Sequence, residues 1–119
     1  MRIIAWVLAV MLAVAFLGAG SAKLTAQPMT VRMFADFGYP VWFMYFAGLL
    51  ELVGVLLVLV PRFAGIGAAL LVAIMLGAIV SHLAHGQTEM IVAPLGLLVI
   101  ALALGTIRGW SRGVEMATA

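Results

Sequence analysis

The chain has 119 residues, of which 67% are hydrophobic and 8% charged, with a mean hydropathy of +1.33; a soluble domain is roughly half apolar and a quarter charged, so a water-soluble globule is excluded. The formal net charge is +2, and its six Lys and Arg stand singly, which leaves no basic stripe or patch for nucleic acid. With zero Cys, disulfides, iron–sulfur clusters and covalently attached c-type haem are excluded, and cysteine usage says nothing of the compartment.

Crossing a bilayer takes about 20 predominantly apolar residues in a helix. Four runs approach or meet that length, at residues 3–22, 41–60, 63–81 and 90–107. They are apolar on all sides, so membrane strands, which alternate with a period of two, are not expected. The first run follows Arg2 and ends at Lys23. Its Gly20-Ser21-Ala22 resembles a signal-peptide cleavage site, but the run is longer than a signal core of about 7–15 residues, which favours a retained helix. Ala5, Ala9 and Ala13 form a ladder of small residues for a neighbouring helix.

Between the first two runs, Met29, Val31, Met33, Phe34 and Phe37 alternate with Thr30, Arg32 and Asp36. This pattern predicts a short helix lying in the membrane interface, with an irregular lid over the bundle mouth as the alternative. Trp42, Phe43, Tyr45 and Phe46 open the second run, where an aromatic belt belongs. With Phe34, Phe37 and Tyr39 they are read first as interfacial anchors and second as the wall of a site for a flat hydrophobic ligand. In the third run Gly65, Ala69, Ala73, Gly77 and Ser81 recur every four residues, predicting an inward-looking face on which a neighbour packs closely.

The expected fold is all-α: one domain over residues 1–119, an integral membrane antiparallel four-helix bundle with a short interfacial segment between helices 1 and 2. Four spans put both termini on one side with Arg2, Arg62, Arg108 and Arg112, against Lys23 and Arg32 on the other. The positive-inside rule then makes both termini cytoplasmic.

Glu51 is the leading candidate for chemistry, because it stands near the middle of the second span. A charged side chain there costs about 2.5–3.5 kcal/mol on insertion scales, which favours protonation or pairing. Met44, Ala47, Gly48, Gly54 and Val55 surround it on the helical wheel, so it faces protein. It is read as a proton-accepting or ligand-binding carboxyl, against a protonated Glu that only hydrogen-bonds another helix. Lys23, beside Ser21 and Thr25, ordinarily snorkels outward; turning in toward a carboxyl or an anionic ligand is the alternative. His82 suits an inward polar role and His85 lies nearer water. Both could share a face with Glu89 if the helix continued, but Gly86 ends it, and no metal site is assigned. No nucleophile–base pair, phosphate loop or carboxylate pair can be assembled, so there is no catalytic motif of the chain's own.

Taken in order, the stretches 16–24 (Phe-Leu-Gly-Ala-Gly-Ser-Ala-Lys-Leu), 37–40 (Phe-Gly-Tyr-Pro) and 48–54 (Gly-Leu-Leu-Glu-Leu-Val-Gly), with Pro61-Arg62-Phe63-Ala64 and the run from Met75 to His82, resemble the DoxX-like family of small bacterial four-helix membrane proteins. The resemblance covers most of the chain and rests on the order and spacing of these pieces. One departure is Val55, which stands where another glycine is often found. Some relatives are similar to subunits of a thiosulfate:quinone oxidoreductase, and others are associated with membrane complexes handling thiol or oxidative stress. Lys23, Glu51 and His82 match the recurrent polar positions, and the resemblance implies a bacterial inner membrane protein.

Together these readings predict an accessory subunit of a membrane redox system that binds a quinone or similar lipophilic molecule, with no covalently bound cofactor. Glu51 accepts or relays the proton, and Lys23, His82, Ser21, Tyr45 and Trp42 contact the ligand. The expected partners are the lipid bilayer, a lipophilic small molecule and a partner membrane or peripheral protein that supplies electrons, with homo-oligomerisation left open. The alternatives are a non-enzymatic membrane scaffold or lipid-binding protein that recruits an enzyme, and, third, a small transporter or ion-coupled channel subunit.

Overall fold

The structure, a computed structural model, describes residues 2–110. Five helices follow one another: α1 (Arg2–Leu24), α2 (Pro28–Asp36), α3 (Val41–Leu59), α4 (Ala64–Ala84) and α5 (Val92–Arg108). Short 3-10 turns, Pro61–Phe63 and Thr88–Ile91, lead into α4 and α5. With these turns, the four long helices run for 23, 19, 24 and 21 residues and are long and apolar enough to cross a membrane. The described residues hold no strand.

Punctuation in the sequence sets the helix ends. Pro28 and Pro61 open helical turns and Pro40 caps α3, positions where a missing N–H leaves no hydrogen bond unmade. At the end of α4, Gly86 takes a φ of +69°, and the Gln87 and Gly86 N–H groups donate back to the carbonyls of His82 and Leu83. This cap stops the helix and folds Gln87 back beside His82. Gly38, at a φ of +78°, ends α2 in the same way and aims Tyr39 back toward the bundle.

The long helices form a ring in which α1 packs on α3, α3 on α4, α4 on α5 and α5 on α1. Lipid tails are as apolar as the helices, so the bundle is held by close packing rather than by removal of apolar surface from water. The ladder of Ala5, Ala9 and Ala13 is buried, as expected, and α1 adds Leu12 and Phe16 to a core shared with Val58, Leu71 and Leu104. Val55 is buried in that same core. At Gly67 an added Cβ would lie 2.8 Å from the Val58 nitrogen, so only glycine lets α4 approach α3 this closely.

The ladder expected on α4 does not form one inward face. Gly65 and Ser81 are buried, but Ala69, Ala73 and Gly77 between them are exposed. Each step of four residues overshoots a full helical turn by about 40°, so such a ladder winds around the helix. The inward face instead runs through Ala64, Ala68, Leu71 and Met75.

The two ends of the bundle differ. Arg108 lies over the Trp6 ring with Cζ 5.5 Å from its centroid, and Gly65 meets the backbone of Gly109. The start of α1, the α3–α4 turn and the end of α5 therefore share one end, with Arg2, Arg62 and Arg108. Arg112, counted on that side from the sequence, lies outside the described residues. The opposite end carries Lys23, α2 with Arg32, and the Gln87 turn.

Candidate ligand-binding site

At that opposite end a cavity of about 530 Å³ lies between α3 and α4 beneath α2, within the size range of small-molecule sites. Phe43, Phe46, Ala47 and Leu50 present one face of α3 to it, as side chains three and four positions apart must. Across the gap α4 contributes residues 73–78 with Val80, Ser81 and His82, and Met33, Phe34 and Phe37 form the cover. The segment between the first two spans is thus a helix, as expected, and it also covers the bundle mouth, which the irregular lid was expected to do. Phe34 and Phe37 are buried rather than merely anchoring the interface.

Lys23 and Glu51 line the cavity and form an ion pair, with Nζ 2.8 Å from Oε1. Glu51 is 1% exposed, which places it against protein as its small helical neighbours predict. Lys23 turns inward instead of snorkelling, and two glycines explain why. A Cβ at Gly20 would lie 3.1 Å from the Gly48 carbonyl oxygen, and a Cβ at Gly48 would lie 2.8 Å from the Lys23 Cβ. The backbones of α1 and α3 therefore nearly touch, which lays the Lys23 stem alongside α3 with its ammonium reaching Glu51, one helical turn beyond Gly48. The second carboxyl oxygen, Oε2, is buried and has no hydrogen-bond partner among the described residues.

A second polar group closes the other side. Tyr39 Oη and Ser81 Oγ are 2.7 Å apart, joining the α2–α3 connection to α4. His82 Nδ1–H donates to Gln87 Oε1 at 2.8 Å. In the neutral imidazole with its proton on Nδ1, Nε2 is an acceptor. His85 Nδ1–H donates to the Ser81 carbonyl at 2.8 Å, and Phe37 packs against both imidazoles, its centroid 5.2 Å from that of His82 and 4.9 Å from that of His85. No cluster of three metal-ligating side chains occurs among the described residues.

Of the residues singled out from the sequence, Lys23, Glu51 and His82 come together around one cavity. Ser21, Trp42 and Tyr45 are exposed and do not line it. Each residue advances the helix by about 100°, so Tyr45 lies on the side of α3 away from the cavity, while Trp42 flanks it and packs on Phe43 and Phe46 with ring centroids 5.8 and 6.5 Å away. Tyr39 was foreseen only as part of an aromatic wall, and Ser81 and Gln87 were not foreseen as site residues. The Gly38-Tyr39-Pro40 turn was a signal for the first of these, since it fixes where the phenol must point.

Residues 7–104 match the DoxX-like family. The chain belongs to the DoxX-like family. This DoxX-like protein is 33% identical over 104 residues to the uncharacterized protein YdgD of Bacillus subtilis (strain 168), across 84% of this chain and 91% of that one. No solved structure matches it.

Proposed function

We propose that this DoxX-like membrane protein binds a quinone, or a similar lipophilic molecule with a polar head, in the α3–α4 cavity as an accessory subunit of a membrane redox system. The observation that carries the reading is the largely buried Lys23–Glu51 pair in a predominantly apolar cavity. Lys23 retains ammonium protons beyond the one given to Glu51, and these suit a carbonyl oxygen on the ligand. Glu51 Oε2, which lacks a partner, suits a hydroxyl of the reduced form. Glu51 is then the group that accepts or relays a proton, while His82 hydrogen-bonds the head through Nε2. A partner protein supplies the electrons. The positive-inside rule places both termini in the cytoplasm of a bacterium and the cavity in the outer half of its inner membrane.

The test is to purify the protein in mild detergent from its own membranes and identify co-purifying lipids and quinones by mass spectrometry, beside Glu51→Gln. The expected result is a quinone enriched over bulk lipid with wild type and depleted with the variant. Bulk lipid alone in both would overturn the quinone reading. It would favour a non-enzymatic scaffold, which the Lys23–Glu51 pair also fits as a lock on α1–α3 register.

A further inference from the structure

The cavity opens sideways. Its charged residues are largely buried, Lys23 partly and Glu51 fully, whereas Phe46, Ala73, Leu76, Gly77 and Val80 line it and are exposed. All five rim residues lie within the membrane-crossing lengths of α3 and α4, so this opening meets hydrocarbon and not water.

Gly77 sits on the rim with space around it. A Cβ there would meet nothing within 4 Å, whereas at Gly48, Gly54 and Gly67 it would meet a neighbour at under 3.0 Å. Glycine within a helix weakens it relative to alanine, and at Gly77 no close helix contact makes use of it. Its effect is on the opening, where any larger side chain would project into the gap facing Phe46. Gly18 and Gly96 are equally unencumbered, but neither lines the cavity.

We propose that the gap between α3 and α4 at Gly77 is a lateral portal through which the ligand's hydrocarbon chain extends into the bilayer. The ligand class is therefore an amphiphile with a compact polar head, held near Lys23 and Glu51, and a long chain that remains in lipid. It loads from the plane of the membrane. A cavity of about 530 Å³ accommodates a head of drug-like size, and the apolar rim receives what the cavity does not. This inference rests on the ligand-binding reading above and specifies its entry route.

Two probes separate the claims: a decyl-tailed dimethoxy-methyl-benzoquinone and the same ring without a tail. Both are measured by equilibrium binding to the full chain in phospholipid nanodiscs. Gly77→Phe should weaken the tailed probe at least about tenfold and the tail-less ring less than about threefold, while Gly18→Ala, away from the cavity, leaves both within about twofold. Equal losses for both probes with Gly77→Phe, or no loss for the tailed one, would overturn the portal while leaving the head site standing. Failure of wild type to bind either probe would overturn the binding reading and the portal with it. Should circular dichroism show that Gly77→Phe has lost its helices, Ala73→Leu on the same rim provides the same comparison.

Discussion

Lys23→Met is expected to destabilise the folded protein by about 3 kcal/mol, because it leaves the Glu51 carboxyl buried with no partner. Glu51 is 1% exposed, and among the described residues its one ion-pair contact is the 2.8 Å bond to Lys23. The double variant Lys23→Met with Glu51→Leu should recover most of that loss, since an apolar pair of similar volume carries no desolvation penalty. Unfolding titrations of the four proteins in detergent supply the cycle. Additive costs would mean that the two side chains do not depend on each other.

The second large effect lies one helical turn away. Gly48→Leu should cost about 3 kcal/mol, at the upper end of the range for overpacking a filled site. Its Cβ would lie 2.8 Å from the Lys23 Cβ and 3.1 Å from the Gly20 carbonyl oxygen, so α1 and α3 must separate. Gly18→Ala is the control, since a Cβ at Gly18 meets nothing within 4 Å. The same unfolding titrations check both. Separation of the helices also withdraws Lys23 from Glu51, so Lys23→Met should cost little further in the Gly48→Leu background. A full additional cost there would show that the glycine crossing does not position the pair.

These two sites mark how far the sequence could be read. Four apolar runs and their Pro, Gly and Arg boundaries made the bundle legible, because length and hydropathy alone decide whether a helix crosses lipid. The inward direction of Glu51 was legible too, since its neighbours at helical spacing are small. The direction of Lys23 was not. A lysine at a helix end ordinarily snorkels, and it is turned here by Gly20 and Gly48, residues on different helices whose pairing exists only in the fold. The Tyr39–Ser81 bond spans 42 positions and no local pattern announces it. On α4 the four-residue recurrence misled because it departs from the 3.6-residue period, so Ala73 and Gly77 face the cavity opening rather than a neighbouring helix. Aromatic residues crowd the start of α3, and only their helical phase puts Phe43 and Phe46 on the cavity, Trp42 at its edge and Tyr45 outside it.

Photolabelling tests the central claim most directly. A photoreactive, alkyl-tailed benzoquinone is cross-linked to the full chain in nanodiscs, and the labelled peptides are mapped by mass spectrometry. The account predicts label concentrated on residues 43–51 and 73–82, competed by unlabelled quinone and reduced in Glu51→Gln. Label spread evenly over the outward faces of α1 and α5, and unchanged by competitor or substitution, would contradict it.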